Sequence, residues 1–556
     1  MTTIASWTSH PRPQLKREHY AILNGEWHLE EQPIRVPFPP QATISGYQGD
    51  VKDAMRYEHT FAIPKAFCQE RILLHFGAVD QIAEVKVNGN MVGSHEGGYL
   101  PFSFDITEYV NREQENTLEV FVKDDLSQEY PYGKQSKQPK GMWYTSVSGI
   151  WQTVWLENVP EVYITDIRLT PSLEQVHLQV NCNQPAEAIK VEIILPEGEN
   201  LCQELTDGTG DIIIPNPVHW TPDHPHLYTI KITADEDCVE SYFALRTICI
   251  QEVNGVQRVC LNGKPIFLHG VLDQGYFHDG IYLPEQEAAY EKDILAMKEL
   301  GYNLLRKHIK IEPEYFYYAC DKLGMLVMQD MVNNGSYAFV RDTLLPTIGF
   351  QKRNDLKLNP SKKVRGVFKE HTRDTIAHLY NHPCIVAYTI FNEGWGQFNS
   401  DEMYDYVKSL DSTRLVDSTS GWYAQKKNDF DSQHIYFRLK RLQVQDRPLF
   451  VTECGGYKYM EKDHFFGVKE YGYGTCKDQA DLTNRIKNMY EKMILPYIKD
   501  GVCGCIYTQL SDVEGEINGL YTYDRAVCKV NKQEMQEIAR KIEVEVRSMA
   551  FRTTSI

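Results

Sequence analysis

Ile385-Val386-Ala387-Tyr388-Thr389-Ile390-Phe391-Asn392-Glu393-Gly394 is a run of seven largely apolar residues that stops on an amide, a carboxyl and a glycine. The run has no polar alternation, so it suits a strand covered on both faces, as the strands of a parallel sheet are. Leu449-Phe450-Val451-Thr452-Glu453 repeats the pattern further along the chain. Both segments place a glutamate where a strand ends.

Outward from these two, short apolar segments alternate with longer helical ones from Asn262-Gly263 onward, which is how βα units read in sequence. Eight strands are predicted. They begin near Ile266-Phe-Leu-His-Gly270, Asn303-Leu-Leu-Arg-Lys307, Met325-Leu-Val-Met328, Ile385, Leu415-Val-Asp-Ser418, His434-Ile-Tyr436, Leu449 and Cys503-Gly-Cys-Ile-Tyr507. Eight parallel strands in roughly 290 residues fit a (β/α)8 TIM barrel. Helical spacing from Glu285 to Leu300 and from Glu312 to Leu323 stops each time at a glycine, Gly301 and Gly324, the residue that favours a helix C-cap. From Val332 to Arg365 no period is visible, and the segment reads as a long loop after the third strand, over the site.

A chain of 556 residues is too long for one hydrophobic core. Upstream of the barrel the pattern is all β. Ile72–Phe76, Glu84–Asn88 and Thr117–Val122 alternate with period two and are separated by turns, as in a β-sandwich. A second alternating set, with Val176–Val180, Ile189–Ile194 and Leu227–Ile232, has the length of one immunoglobulin-like sandwich. The chain is therefore read as multidomain β plus α/β, with domains at 1–160, 161–248 and 249–556.

Fifty-eight basic against seventy-six acidic side chains leave a formal charge of −18, which disfavours nucleic acid and anionic membranes as partners. The opening residues lack the basic and apolar regions of a signal peptide, and no apolar run is long enough to span a bilayer, so a soluble, cytoplasmic protein is expected. The thirteen cysteines are scattered singly apart from Cys503-Gly-Cys505 and suggest neither a disulfide framework nor a zinc site.

In a TIM barrel the reacting groups stand at the C-terminal strand ends. Glu393 and Glu453 end the fourth and seventh strands, which face each other across a barrel. Glycoside hydrolysis needs such a pair: a protonated carboxyl for the leaving oxygen and an ionised one against the anomeric carbon. Asn392 would point to the other wall, within reach of a sugar 2-hydroxyl. On spacing alone, Asn392-Glu393 could equally cap the next helix.

Several motifs together resemble glycoside hydrolase family two, the family of β-galactosidases, β-glucuronidases and β-mannosidases, over nearly the whole chain. They are Leu23-Asn-Gly-Glu-Trp27, Val36-Pro-Phe-Pro-Pro40, Val87-Asn-Gly89, Gly97-Gly-Tyr-Leu-Pro-Phe102, Ser148-Gly-Ile-Trp151, Asn303-Leu-Leu-Arg306, Phe391-Asn-Glu-Gly394, Thr452-Glu453 and Asn518-Gly519. The resemblance implies a sugar-binding jelly roll, an immunoglobulin-like sandwich and a catalytic barrel, with Glu393 as acid/base and Glu453 as nucleophile. It further implies that Arg306 hydrogen-bonds the nucleophile, that the Tyr436 hydroxyl contacts it, and that Asp273 and Gln274 meet the sugar. His308 lies near a family histidine but in a register one residue shorter, while Asp330 and Trp422 are placed as subsite walls. Gln509 stands where β-galactosidases have a tryptophan platform.

That departure weakens a galactosidase reading. The Asn-x-Lys clamp of glucuronidases is missing too, and Asp512, Glu514 and Glu516 would repel an anionic sugar. Gln509-Leu-Ser-Asp512 resembles β-mannosidases. Asn333-Asn-Gly-Ser336, where metal-dependent relatives carry ligands, offers no strong magnesium set. The expectation is a metal- and cofactor-independent retaining exo-β-glycosidase on a neutral, galactose-like sugar, able to form homo-oligomers. The alternatives are β-glucuronidase, β-mannosidase or β-glucosidase specificity, transglycosylation on the same residues, or sugar binding on an inactive barrel.

Overall fold

The eight barrel strands form one parallel sheet in the computed structural model, which describes residues 7–358, 361–436 and 438–550. They are β1 (Leu268–Asp273), β2 (Leu304–Lys307), β3 (Leu326–Asp330), β4 (Ile385–Asn392), β5 (Leu415–Ser420), β6 (Asp431–Ile435), β7 (Leu449–Gly455) and β8 (Val502–Thr508). Their order is β5-β4-β3-β2-β1-β8-β7-β6, so the ladder leaves one seam, between β5 and β6. Side chains stitch that seam: Asp417 of β5 accepts from Ser432 Oγ of β6 at 2.8 Å and from Asn428 Nδ2 at 2.9 Å.

Helices α1 (Ala288–Glu299), α2 (Glu314–Leu323), α3 (Lys362–Leu379), α4 (Ser400–Leu410), α5 (Gln479–Met489) and α6 (Lys532–Ala550) accompany the strands. Gly324 closes α2 at φ 72°, a left-handed cap that a Cβ would bring to 2.3 Å from the Pro222 carbonyl. The stretch 332–365, expected as a long loop, instead carries short helical turns at Val340–Leu344 and Asp355–Lys357 and the start of α3. Turns of one cycle are too short to show a period. The start of α3 is signalled by Ser361, whose Oγ accepts from Val364 N.

Two sandwiches precede the barrel. In the first, a six-stranded antiparallel sheet containing Gly25–Leu29, Ala54–Phe61, Asn116–Lys123 and Ile82–Val87 faces a four-stranded one containing Val154–Val159 and Arg71–Phe76. Alternate residues such as Trp27, Tyr57, Leu74 and Val120 fill the space between them. The second packs Ile164–Pro171, Gln175–Cys182 and Thr209–Ile213 on a four-stranded sheet that includes Ile189–Ile194 and Tyr228–Ala234.

A loop of the first sandwich is what bears on the site. After Lys123 the chain runs to the barrel mouth, where Tyr132 Oη donates to Gly335 O at 2.9 Å and Asn334 Nδ2 to Glu129 O at 2.8 Å. Trp143 packs edge-on against Trp395, with ring centres 4.9 Å apart. Among the described residues, no helix is long and apolar enough to cross a membrane.

Candidate active site

β4 and β7 deliver Glu393 and Glu453 to one cleft at the C-terminal mouth of the barrel. Glu393 lies just past the ladder and takes φ 53°, a left-handed conformation that costs a side-chain-bearing residue about 1–3 kcal/mol. Two bonds hold it there: its N donates to Ser420 O at 2.9 Å, and its carbonyl accepts from Trp422 Nε1 at 3.0 Å.

Glu453 is buried and fully engaged. Its Oε1 accepts from Arg306 Nη1 at 3.1 Å and its Oε2 from the Tyr436 hydroxyl. Burial would raise this carboxyl, but the charges of His434 and Arg306 outweigh it and hold it down at about 2. Burial and the neighbouring Glu453 charge keep Tyr436 well above the usual phenol range, so it donates.

Arg306, with none of its side chain exposed, is the hub. It reaches Glu453, Asn392 Oδ1 at 2.9 Å, and Asp330 through Nε at 3.0 Å. Arg306→Met is expected to lower the free energy of unfolding by about 3–5 kcal/mol in urea titrations, because buried carboxylates lose their cation. The pH dependence should change as well. Glu453 sits at about 2, below its unfolded value near 4.3. Its stabilisation is therefore present above the unfolded value and lost as pH falls through the folded one, and the variant should narrow that window.

His434, on β6 beside Glu453, was not singled out from sequence. Its Nδ1 is 2.8 Å from Glu393 Oε1, and its Nε2 is 2.9 Å from Ser420 Oγ and 3.6 Å from Glu453 Oε1. It thus joins the two carboxyls. Gly421 makes room for it, since a Cβ there would stand 2.8 Å from the ring. Among the described residues, Glu393, His434 and Glu453 are the acidic and histidine side chains close enough to share a cation. Glu453 already accepts from Arg306 and Tyr436, and His434 is bonded to Glu393 Oε1 through Nδ1 and to Ser420 Oγ through Nε2.

Of the other residues expected to meet the sugar, Asn392, Gln274, His308 and Tyr436 line the cleft. His308 bonds Asp330 Oδ2 through Nδ1 at 2.6 Å, and burial, with the charge of Lys134, pushes it down to about 4. A neutral ring that donates from Nδ1 leaves Nε2 as an acceptor. Four expected contacts stand behind the cleft surface. Asp273 pairs across the β1–β2 ladder with Lys307 and accepts from its Nζ at 2.6 Å. Asp330 braces Arg306, and Trp422 clamps the Glu393 carbonyl. Gln509 is fully buried and accepts from Gln274 Nε2 at 2.8 Å.

The cleft wall also includes Lys134 and Trp143 from the first sandwich, Tyr337, Trp395 and Tyr473. These aromatics suit the apolar face of a sugar ring. His434 was within reach of the sequence, two residues before Tyr436 at the end of the sixth strand. Lys134 and Trp143 carried no such signal, because they reach the barrel from another domain.

The comparisons agree with this architecture. The sequence matches the family model "Glycosyl hydrolases family 2, sugar binding domain" over residues 17–160, "Glycosyl hydrolases family 2" over 162–246 and "Glycosyl hydrolases family 2, TIM barrel domain" over 252–496. A β-galactosidase of Thermoanaerobacter pseudethanolicus is 27% identical over 73% of this chain and 54% of its own length, so the chain spans about half of that relative. A β-glucuronidase of Paenibacillus borealis is 25% identical over 70% of this chain and 68% of its own. Among solved structures, a β-D-glucuronidase of Dictyoglomus thermophilum superposes with TM-score 0.74 at 19% identity, covering 96% of this chain and 98% of that one. A β-galacturonidase of Eisenbergiella tayi bound to galacturonate gives 0.69 at 20%, covering 98% and 99%. With two sandwiches, a barrel and three consecutive matches to its domains, the chain belongs to glycosyl hydrolase family 2.

Proposed function

We propose that the protein is a retaining exo-β-glycosidase acting by double displacement, with Glu453 as nucleophile and Glu393 as acid/base. The observation that carries this reading is a spacing: a carboxylate oxygen of Glu393 lies within 4.8 Å of one of Glu453. Retaining pairs are about 5–5.5 Å apart, whereas inverting pairs leave roughly 6.5–9.5 Å for a water.

Ionised Glu453 attacks the anomeric carbon while Glu393 gives its proton to the departing oxygen, forming a glycosyl ester. Glu393, now ionised, takes a proton from water as that water attacks the anomeric carbon, breaking its bond to Glu453 and freeing the carboxylate. Both charges come from protein carboxyls, and no step is routed through a metal. The loop that carries Lys134 and Trp143 walls the cleft, which favours a terminal sugar.

Curated relatives named β-galactosidase and β-glucuronidase support a β-linked hexopyranoside. The expectation of a neutral sugar rests on the missing Asn-x-Lys clamp and on repulsion by Asp512, Glu514 and Glu516. Asp512 is instead paired with Lys529 at 2.6 Å, and Glu514 accepts from Thr145 N at 2.9 Å. Of the three, Glu516 alone lines the cleft.

Proton NMR of fresh hydrolysates of 4-nitrophenyl β-D-galactoside and β-D-glucuronide tests the stereochemistry. The β-anomer is expected first; the α-anomer first would overturn the retaining assignment.

A further inference from the structure

The cations packed around the barrel mouth have carboxylate partners. Arg306 has Asp330 and Glu453, Lys307 has Asp273 and Glu312, Lys310 has Glu312, and Lys529 has Asp512. Lys134 differs. It lines the cleft beside Glu393 and Glu453, yet its Nζ has no hydrogen bond or ion pair among the described residues. Its Nζ stands over the Tyr144 ring, 5.9 Å from the ring centre.

The base of this side chain is fixed. Lys134 O accepts from Tyr144 N at 3.0 Å. The next residue, Gln135, is buried and donates to Asp80 Oδ2 at 2.8 Å and to the Tyr99 hydroxyl at 3.2 Å. Gly133 before it turns at φ 60°, where a Cβ would meet the Ile309 carbonyl at 2.9 Å. An ammonium on a flexible stem at the surface would be screened and free to wander. This one starts from a rigid strand edge and ends in a cleft lined by Trp143, Trp395 and Tyr337, where a matched anion is worth more than in open water.

Glu516 is the rival partner. Its oxygens are taken by the Tyr144 hydroxyl and by Asn518 Nδ2 at 2.9 Å, and Lys134 stays beyond ion-pair distance. Lys134 is felt there electrostatically, as it is at His308, so its charge spans the mouth between the ends of β2 and β8.

We propose that Lys134, supplied by the first sandwich, reads an anionic group on the sugar in the cleft, a carboxylate or a sulfate ester, and so makes the preferred substrate an acidic β-glycoside. The proposal rests on the glycosidase reading and sharpens its substrate. A charge-assisted hydrogen bond is the contact it predicts.

The test compares matched 4-nitrophenyl β-D-glycosides: galactoside with galacturonide, glucoside with glucuronide, and galactoside with its 6-sulfate. The wild-type enzyme is expected to favour an anionic member by about 10- to 100-fold in kcat/KM, the range of one hydrogen bond to a charged group. Preference for the uronide or for the sulfate identifies which anion is read. In Lys134→Gln that ratio should fall toward one, mainly through KM, and Lys134→Arg should restore part of it. A wild-type preference for the neutral member, or a Lys134→Gln variant that loses both members in equal proportion, would overturn the proposal. In the second case Lys134 would be a counter-charge to Glu516.

Calorimetric binding of free galacturonate, glucuronate and galactose 6-sulfate to Glu453→Gln separates the two readings. Anion binding that Lys134→Gln abolishes upholds Lys134 even if no glycoside is turned over, a result that would count against the glycosidase reading alone. Absence of binding by every anionic sugar would count against Lys134.

Discussion

Glu453→Gln is expected to lower kcat/KM for aryl β-glycosides by about 10⁴-fold or more, since removal of a nucleophile takes away the covalent step as a whole. The amide keeps the shape of the carboxylate, so its oxygen can still accept from Arg306 Nη1 or from Tyr436. Circular dichroism and gel filtration should therefore match the wild type while turnover is lost. Glu453→Ala opens space beside the anomeric carbon instead. With azide present, this variant should release the α-glycosyl azide, because the small anion enters from the face that Glu453 occupied. Turnover by Glu453→Gln within ten-fold of wild type, on an activated substrate and after a second purification, would remove Glu453 from the nucleophile role.

The strand ends that made Glu453 a candidate were legible because parallel barrel strands are buried on both faces and read as apolar runs. Ile385–Asn392 and Leu449–Gly455 are such runs, and both were placed from sequence to within a few residues. The sandwiches were legible for the complementary reason, since half-buried strands such as Asn116–Lys123 alternate in burial. Direction of side chains was harder to read. Asp273 and Gln274 are neighbours in sequence, yet adjacent backbone positions point apart, and the β1–β2 register gave Asp273 to Lys307 while Gln274 stayed at the cleft. Trp422 and Gln509, expected at the sugar, stand behind the cleft surface, where Trp422 donates to the Glu393 carbonyl and Gln509 accepts from Gln274. Lys134 was out of reach altogether: its place depends on how the loop after Lys123 docks on Gly335 and Trp395, a contact with no local pattern.

Glu393→Ala is expected to split substrates by leaving group. A 2,4-dinitrophenyl glycoside departs without a proton, so its first step should stay close to wild type, whereas a phenyl or methyl glycoside should lose about 10²- to 10⁴-fold, the usual worth of a positioned acid. The second step loses its base with either substrate. Rapid mixing should then show a burst of dinitrophenolate followed by slow release, and azide should speed that release as the β-glycosyl azide, the opposite anomer to the one expected from Glu453→Ala. Interchanged anomers would interchange the two roles. His434 adds an internal control, because it lies 2.8 Å from Glu393 Oε1 but 3.6 Å from Glu453 Oε1. If its main work is to aim Glu393, His434→Ala should reproduce part of the leaving-group dependence, slowing phenyl more than dinitrophenyl glycosides. An equal loss on both would instead make His434 a support of Glu453, since attack on the anomeric carbon is common to every substrate.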